Sequence, residues 1–483
     1  MITLIICILV LVLGYYFYSG YVEKVFGADA SRPTPAATMT DGVDYLPLPW
    51  WRVFLIQFLN IAGLGPIFGA VAGAMWGPVA YIWIVLGAVF AGGVHDYFSG
   101  MLSVKHNGLS ITEIVGIYMG RPVMQFMRGF TVFLMVIVGA VFIMGPARIL
   151  AGFTPDFNSM TFWVWLIFCY YIVATMLPIN KIIGPVYPVF GFALFFMAIG
   201  LITALLVKGY HMPELTFDTL RNFHSGGNRF PIFPMLFITI ACGAISGFHA
   251  TQAPLMARCL KNEKQGRKVF YGAMITEGVV ALIWATISMS IFGGVHELNG
   301  IMNENHGNAA WVVNEISNSL LGRFGAFLAL LGVVAAPITS GDTAFRSARL
   351  IVADFMKLQQ KPVINRLVIS IPLFVIGFLL TQIEFGVIWR YFAWSNQTLA
   401  TIVLWTITVY LAVNRKNFWI TLLPAVFMTS VVTVYILLAP EGMNLPGKIS
   451  YPAGFSVTGV SVIAFILFFN RLKKQRPGDY NQA

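Results

Sequence analysis

Ionisable and polar side chains inside long apolar runs stand out first, because a charge in lipid is costly and persists only with a partner, an exchangeable proton or a ligand. Glu277 lies in the middle of such a run with no basic residue within a helical turn, which suits a proton-exchanging carboxylate. Asp342 sits one turn from Arg346, so the pair reads either as a buried ion pair or as a second proton site. His95-Asp96 and His296-Glu297 are of a type that hydrogen-bonds at helix ends, gates a path or moves protons. Neither pair has a third ligand nearby in sequence, which argues against a metal centre. His249, Thr251 and Gln252 follow a glycine-rich stretch, where they face a substrate or pack into a bundle. Asn396 and Gln397 form a polar cluster read as a gate, and Arg390 just before them either pairs with Glu384 or neutralises an anionic substrate. The four cysteines, Cys7, Cys169, Cys242 and Cys259, form no CxxC and suggest neither a disulfide framework nor a zinc or iron–sulfur site.

The elements that must position these groups are membrane helices. Of 483 residues 58% are apolar and 10% charged, a composition no ordinary water-facing surface can be made from. The net charge of +11 does not indicate nucleic-acid binding, because the basic residues lie between hydrophobic runs rather than on one face. The opening segment from Ile2 lacks a basic start and a small-residue cleavage site, so it reads as a retained anchor rather than a removed leader. Apolar windows follow near 53–76, 78–103, 127–150, 160–178 and 184–207, then 233–259, 268–293, 323–356, 363–381 and 384–412, then 417–438 and 453–470. With the anchor these make about thirteen spans. Lys and Arg concentrate in alternate loops, which puts the N-terminus outside and the C-terminus in the cytoplasm.

An internal repeat organises the spans. Gly92-Gly93-Val94-His95-Asp96 recurs as Gly293-Gly294-Val295-His296-Glu297, and His106 and His306 are each followed closely by glycine. The stretch Ile61-Ala62-Gly63-Leu64-Gly65-Pro66 has its counterpart in Ile240-Ala241-Cys242-Gly243-Ala244-Ile245, and Ala147-Arg148-Ile149-Leu150 in Ala348-Arg349-Leu350-Ile351. Each copy holds five spans, so the second enters the membrane in the opposite sense. The chain therefore divides into residues 1–50 (an extra helix and cytoplasmic loop), 51–210 (first repeat), 211–232 (outer loop), 233–413 (second repeat), 414–471 (two more helices) and 472–483 (cytoplasmic tail). Gly63, Gly65, Pro66 and Gly69 interrupt the first span of one repeat; Gly243, Ser246, Gly247 and Pro254 interrupt that of the other. Unwound backbone in a membrane must line a cavity or a ligand. The expected substrate site is accordingly Gly63, Gly65, Pro66, Gly243, Ser246 and Gly247, with His249, Thr251 and Gln252.

On these motifs the chain resembles the carbon starvation protein A family of bacterial inner-membrane transporters. The resemblance rests on Ser31-Arg32-Pro33-Thr34-Pro35-Ala36, Asp41-Gly42-Val43-Asp44-Tyr45, Ile61-Ala62-Gly63-Leu64-Gly65-Pro66 and Gly92-Gly93-Val94-His95-Asp96. It rests also on Ala336-Pro337-Ile338-Thr339-Ser340-Gly341-Asp342 and on Trp389-Arg390-Tyr391-Phe392-Ala393-Trp394-Ser395-Asn396-Gln397. It implies the five-plus-five inverted repeat of the amino acid–polyamine–cation group, the LeuT-like fold, and transport of short peptides or pyruvate. It also implies a cation site made of Thr339 and Ser340 hydroxyls with the carbonyls of Leu59, Ala62 and Ala336, since hard cations need several oxygens around one point. The expected protein is a cation-coupled secondary transporter, driven by H+ or Na+, with no cofactor, a small-molecule substrate, the bilayer as its surroundings and an open oligomeric state. Two other classes compete. A membrane-embedded metalloenzyme requires the His and acidic pairs to converge, and a passive channel lacks the rings or filter such a pore needs. The absence of a G-x-x-x-x-G-K-[ST] run leaves ATP-driven transport by this chain alone unsupported.

Overall fold

The helices start where apolar runs start and stop where glycine, proline or polar clusters interrupt them. The computed structural model describes residues 1–42, 44–154, 159–176, 179–360 and 362–474, without the side chains of 176, 179–188, 323–325, 328–330 and 474. Val43 of the second motif, residues 177–178 at the end of one expected span, and tail residues 475–483 lie outside it. In chain order the principal helices are α1 (Ile2–Phe26), α2 (Trp50–Ile61), α3 (Gly65–Trp76), α4 (Val79–Lys105), α5 (Ile111–Met119), α6 (Arg121–Phe153), α7 (Met160–Met176) and α8 (Ile179–Val207). They continue as α9 (Gly247–Ala257), α10 (Glu263–Ile291), α11 (Val295–Glu304), α12 (Ala309–Met356), α13 (Val363–Leu380), α14 (Phe385–Val413), α15 (Trp419–Leu438) and α16 (Gly447–Lys474). Apart from one isolated bridge between Leu48 and Leu260, the regular structure among the described residues is helical.

Among the described residues nine helices are long and apolar enough to cross a membrane, or ten if the bent pair α2 and α3 counts as one span. The protein is thus an all-helical, multi-pass membrane protein. The other expected windows fall on α12, on a shorter helix (α7) and on a broken one (α9 with the turns before it). Two interruptions appear where glycine was read as breaking the helix. The first lies at Ala62–Leu64, between α2 and α3, which meet at a bend of 55°. The second spans Ile240 to Ser246, between the short turn Phe237–Thr239 and α9. Pro254 breaks nothing: α9 runs through it to Ala257. A further break inside α12 falls at Gly322, whose φ of 65° only glycine adopts without strain.

The two copies of the Gly-Gly-Val-His peptide take different conformations. Gly293 and Gly294, at φ 96° and 146°, end α10 and start α11, whereas Gly92 and Gly93 lie inside the continuous helix α4. There they serve close packing, since a Cβ on Gly92 would stand 2.3 Å from the Ala244 carbonyl oxygen and one on Gly93 2.6 Å from the Tyr271 ring. The copies converge again downstream, where Asn107-Gly108 and His306-Gly307 close α4 and α11 with a non-glycine at positive φ followed by glycine. α12 lies against α6 and α8, and α14 against α9 and α6, so the buried centre is enclosed by the helices that carry the polar residues. The 208–230 segment forms only short turns and rests on α3 through His224, whose ring lies between Trp76 at 4.3 Å and Phe230 at 4.6 Å.

Candidate functional site

The two interruptions meet. A Cβ on Gly65 would lie 2.3 Å from both Cβ and Sγ of Cys242, and one on Gly243 3.9 Å from the Pro66 Cα, so the broken backbones cross at near contact. Gly63, Gly65, Pro66, Gly243, Ser246 and Gly247 are all buried there. Gly247, the first residue of α9, abuts α14 backbone, where an added Cβ would stand 2.4 Å from the Asn396 carbonyl oxygen.

Asn396 and Gln397, read in sequence as a gate, clasp the second interruption. The Phe248 N–H donates to Asn396 Oδ1 at 2.6 Å, and Asn396 Nδ2 lies 2.9 Å from Ser246 Oγ. Gln397 Nε2 donates to the Ile245 carbonyl at 2.9 Å. One amide therefore satisfies a donor freed at the start of α9, and the other an acceptor freed in the unwound stretch, as broken helices in lipid demand. Arg390 pairs neither with Glu384 nor with the centre: it is 49% exposed and lies 3.7 Å from Glu441.

His95-Asp96 does not end a helix. It lies well inside α4, fully buried, while His296-Glu297 sits exposed in the first turn of α11, so the two pairs do not converge. Asp96 takes both neighbouring imidazoles, with His95 Nδ1 at 2.7 Å from Oδ1 and His249 Nδ1 at 2.8 Å from Oδ2. His249, expected to face substrate, thus turns one nitrogen to Asp96 and the other toward Glu277 Oε2 at 3.4 Å. That last approach lacks hydrogen-bond geometry: His249 Nε2 and both Glu277 carboxylate oxygens are buried without a hydrogen-bond partner. Cys242, His249 and Glu277 each offer one ligand atom within 4.8 Å of the other two. The sequence reading missed Cys242 here, and its cysteine spacing pointed away from a metal. The one signal available was that Cys242 occupies, in the second copy, the place of Gly63 in the first. Thr251 Oγ1 bonds back to the Phe248 carbonyl at 2.6 Å, and Gln252 Nε2 reaches Thr251 Oγ1 at 2.9 Å, so both are tied into the bundle.

A second cluster gathers oxygens. The Ser340 hydroxyl lies 2.9 Å from the carbonyls of both Leu59 and Ala336, and the Thr339 hydroxyl donates to Ala336 at 2.7 Å. Leu59 lies in the last turn of α2, and Ala62 ends it with φ −76° and ψ 50°. Asn60, beside Leu59, is fully buried with neither side-chain atom hydrogen-bonded. Asp342 and Arg346 are buried one and two turns further along α12, where Arg346 Nη2 donates to the Ala174 carbonyl at 2.8 Å.

A helical membrane protein whose two broken helices cross at a buried polar centre shares its fold with a solved transporter. Its chain superposes on the crystal structure of the Eremococcus coleocola manganese transporter in complex with an aromatic bis-isothiourea substituted compound. That superposition has a TM-score of 0.52 at 12% identity and covers 90% of this chain and 97% of the other, a likeness of fold alone. The chain belongs to the carbon starvation protein CstA family, whose model matches residues 1–156 and 150–322. It is similar to an uncharacterized membrane protein of Haemophilus influenzae, 42% identical over 59% of this chain and 90% of that one. It is also similar to the peptide transporter CstA of Campylobacter jejuni, 24% identical over 96% of this chain and 84% of the relative. The pyruvate/proton symporter BtsT of Escherichia coli is 29% identical over 58% of this chain and 48% of its own length.

Proposed function

We propose that this protein is a secondary active transporter that imports small carboxylates, pyruvate or short peptides, across the bacterial inner membrane. In this reading ten of the thirteen expected helices form a five-plus-five inverted repeat, preceded by one extra helix and followed by two, with the N-terminus outside and the C-terminus in the cytoplasm. One bundle rocks against the other about the crossed interruptions, and a co-transported cation supplies the energy. The observation that carries the reading is the contact of Gly65, at the N-terminal end of α3, with Cys242 in the unwound stretch before α9, which brings the two interruptions to one buried point. Helix N-termini carry partial positive charge, which suits a substrate carboxylate.

The gathering of the Ser340 and Thr339 hydroxyls at the Leu59 and Ala336 carbonyls supports sodium as the coupling ion, with the Ala62 carbonyl and the buried, unbonded Asn60 side chain as further oxygen donors in this reading. A proton is the second reading, favoured by the similarity to BtsT, a pyruvate/proton symporter. The test is uptake of labelled pyruvate into proteoliposomes under an imposed proton gradient and, separately, a sodium gradient, with excess unlabelled dipeptide as competitor. Accumulation driven by sodium, with Ser340→Ala raising the sodium concentration required, supports the oxygen cluster. Accumulation driven by protons alone moves coupling to the buried carboxylates. Downhill flux without accumulation under either gradient means a channel, and the transporter reading fails.

A further inference from the structure

From the arrangement around His249 we infer that Cys242, His249 and Glu277 form a binding site for a divalent transition metal of the zinc class. The imidazole is set for it. Asp96 Oδ2 lies 2.8 Å from Nδ1, and because a carboxylate only accepts there, Nδ1 carries the hydrogen, which in the neutral ring leaves the Nε2 lone pair to face Glu277 and Cys242. Metal-ligating histidines are oriented in this way by a carboxylate behind the ring. Asp96 is itself fixed by His95 at 2.7 Å, so the ring is held from two residues away.

The ligand face is equally specific. His249 Nε2 stands 3.4 Å from Glu277 Oε2, close to the roughly 3.3–3.7 Å that separates neighbouring ligands in a tetrahedral zinc site. The three ligand atoms fall within 4.8 Å of one another, so closure requires side-chain movement of about an ångström at Cys242. Gly65 makes room for that thiol, and Asn396 Nδ2 lies 3.6 Å from its sulfur. His249 Nε2 and both Glu277 oxygens are fully buried with no hydrogen-bond partner, a costly state that a bound cation relieves. A thiolate and a carboxylate around a divalent ion also make a neutral set, the cheapest arrangement in a low-dielectric interior. One sulfur, one imidazole and one carboxylate favour Zn2+ or Cd2+ over Mg2+ or Mn2+, which prefer all-oxygen sites. With three protein ligands a fourth position remains for water or a small ligand.

Binding stands on this geometry alone; its consequence for transport rests on the transporter reading. Cys242 lies in the unwound stretch, His249 in α9 and Glu277 in α10, so a metal joining them pins the second interruption and should arrest uptake.

The test uses the full-length purified protein. Elemental analysis after Zn2+ loading and removal of excess ion should give one equivalent, and Cd2+ should produce the ultraviolet thiolate charge-transfer band. Cys259→Ser should retain the band and Cys242→Ser should lose it. Glu277→Gln should weaken Zn2+ binding at least tenfold, and Mn2+ should not compete at equal concentration. X-ray absorption at the zinc edge of the unmutated protein reads the ligands directly and does not depend on any variant folding. One sulfur with nitrogen and oxygen neighbours is expected. A sulfur-free shell, no saturable equivalent, or a band that survives Cys242→Ser overturns the proposal. Zinc bound with this shell but without effect on uptake leaves the site standing and counts against the transport mechanism.

Discussion

Asn396 offers the sharpest test of how the second interruption is held. Replacing it with alanine removes the acceptor for the Phe248 N–H, at 2.6 Å, and the partner of Ser246 Oγ, at 2.9 Å. An average interhelical hydrogen bond in a membrane contributes only about 0.6 kcal/mol, because the unfolded chain in lipid finds substitutes. A helix cap in water is typically about 1 kcal/mol. Asn396 exceeds both, since the orphaned donor is a fully buried backbone group at a broken helix, and leaving one unsatisfied costs about 1–3 kcal/mol. The expected loss is about 2–3 kcal/mol. It would be read from reversible unfolding of the purified protein in mixed micelles. Because Ser246 shares the same bonds, Ser246→Ala in the Asn396→Ala background should cost about 1 kcal/mol less than in the unmutated protein. A loss below about 0.6 kcal/mol, or strict additivity of the two changes, refutes the clasp.

The packing of the two interruptions predicts that Gly65→Ala and Gly247→Ala each destabilise by about 1–3 kcal/mol or more, since the added methyl meets Cys242 Cβ or α14 backbone, which cannot rotate away. Gly129→Ala, where nothing lies within 4 Å, should instead be neutral or stabilising by up to about 1 kcal/mol; thermal unfolding in detergent separates the cases. Burial pushes the His224 imidazole down to about 4, and its Nδ1 accepts from the Gly226 N–H at 3.0 Å, so the docked segment requires the neutral ring. As pH falls below the ordinary histidine value of about 6.5, only the undocked form takes up a proton, and docking stability is lost progressively until about pH 4. Amide exchange across 208–230 should therefore rise over that window, and a flat profile, or one unchanged in His224→Phe, counts against it. Arg390→Ala should cost below about 1 kcal/mol and leave pyruvate uptake unchanged, because the ion pair with Glu441 is half exposed; a large loss of uptake would restore a substrate role.

Several features were legible in the chain because they are local. Hydropathy marks helices, since each must satisfy its own backbone within the apolar layer, and glycine with serine marks where the first span of each repeat unwinds. The repeated Gly-Gly-Val-His peptide shows the limit of such reading. The same four residues break the chain after α10 but continue it within α4, because in α4 their lack of side chains is used for contact with Tyr271 and Ala244 rather than for turning. Pro254 misled for a similar reason, as the short helix α9 absorbs it. Asn396 and Gln397 were legible as a polar cluster, but the groups they bond, Phe248 and Ile245, could not be named from spacing.

The sequence by itself determined that this is a helical membrane protein of the CstA family, interrupted at two places rich in glycine. It also determined that Glu277, Asp342 and His249 lie within apolar surroundings. Only the tertiary structure decided which of them meet. Asp96 and His249 are 153 positions apart, and Cys242 joins His249 and Glu277 across an unwound stretch and a loop. A helical pattern fixes a residue's depth along its own axis and its face. It does not fix the rotation and crossing of one helix against another, and those are set by the side chains packed between them.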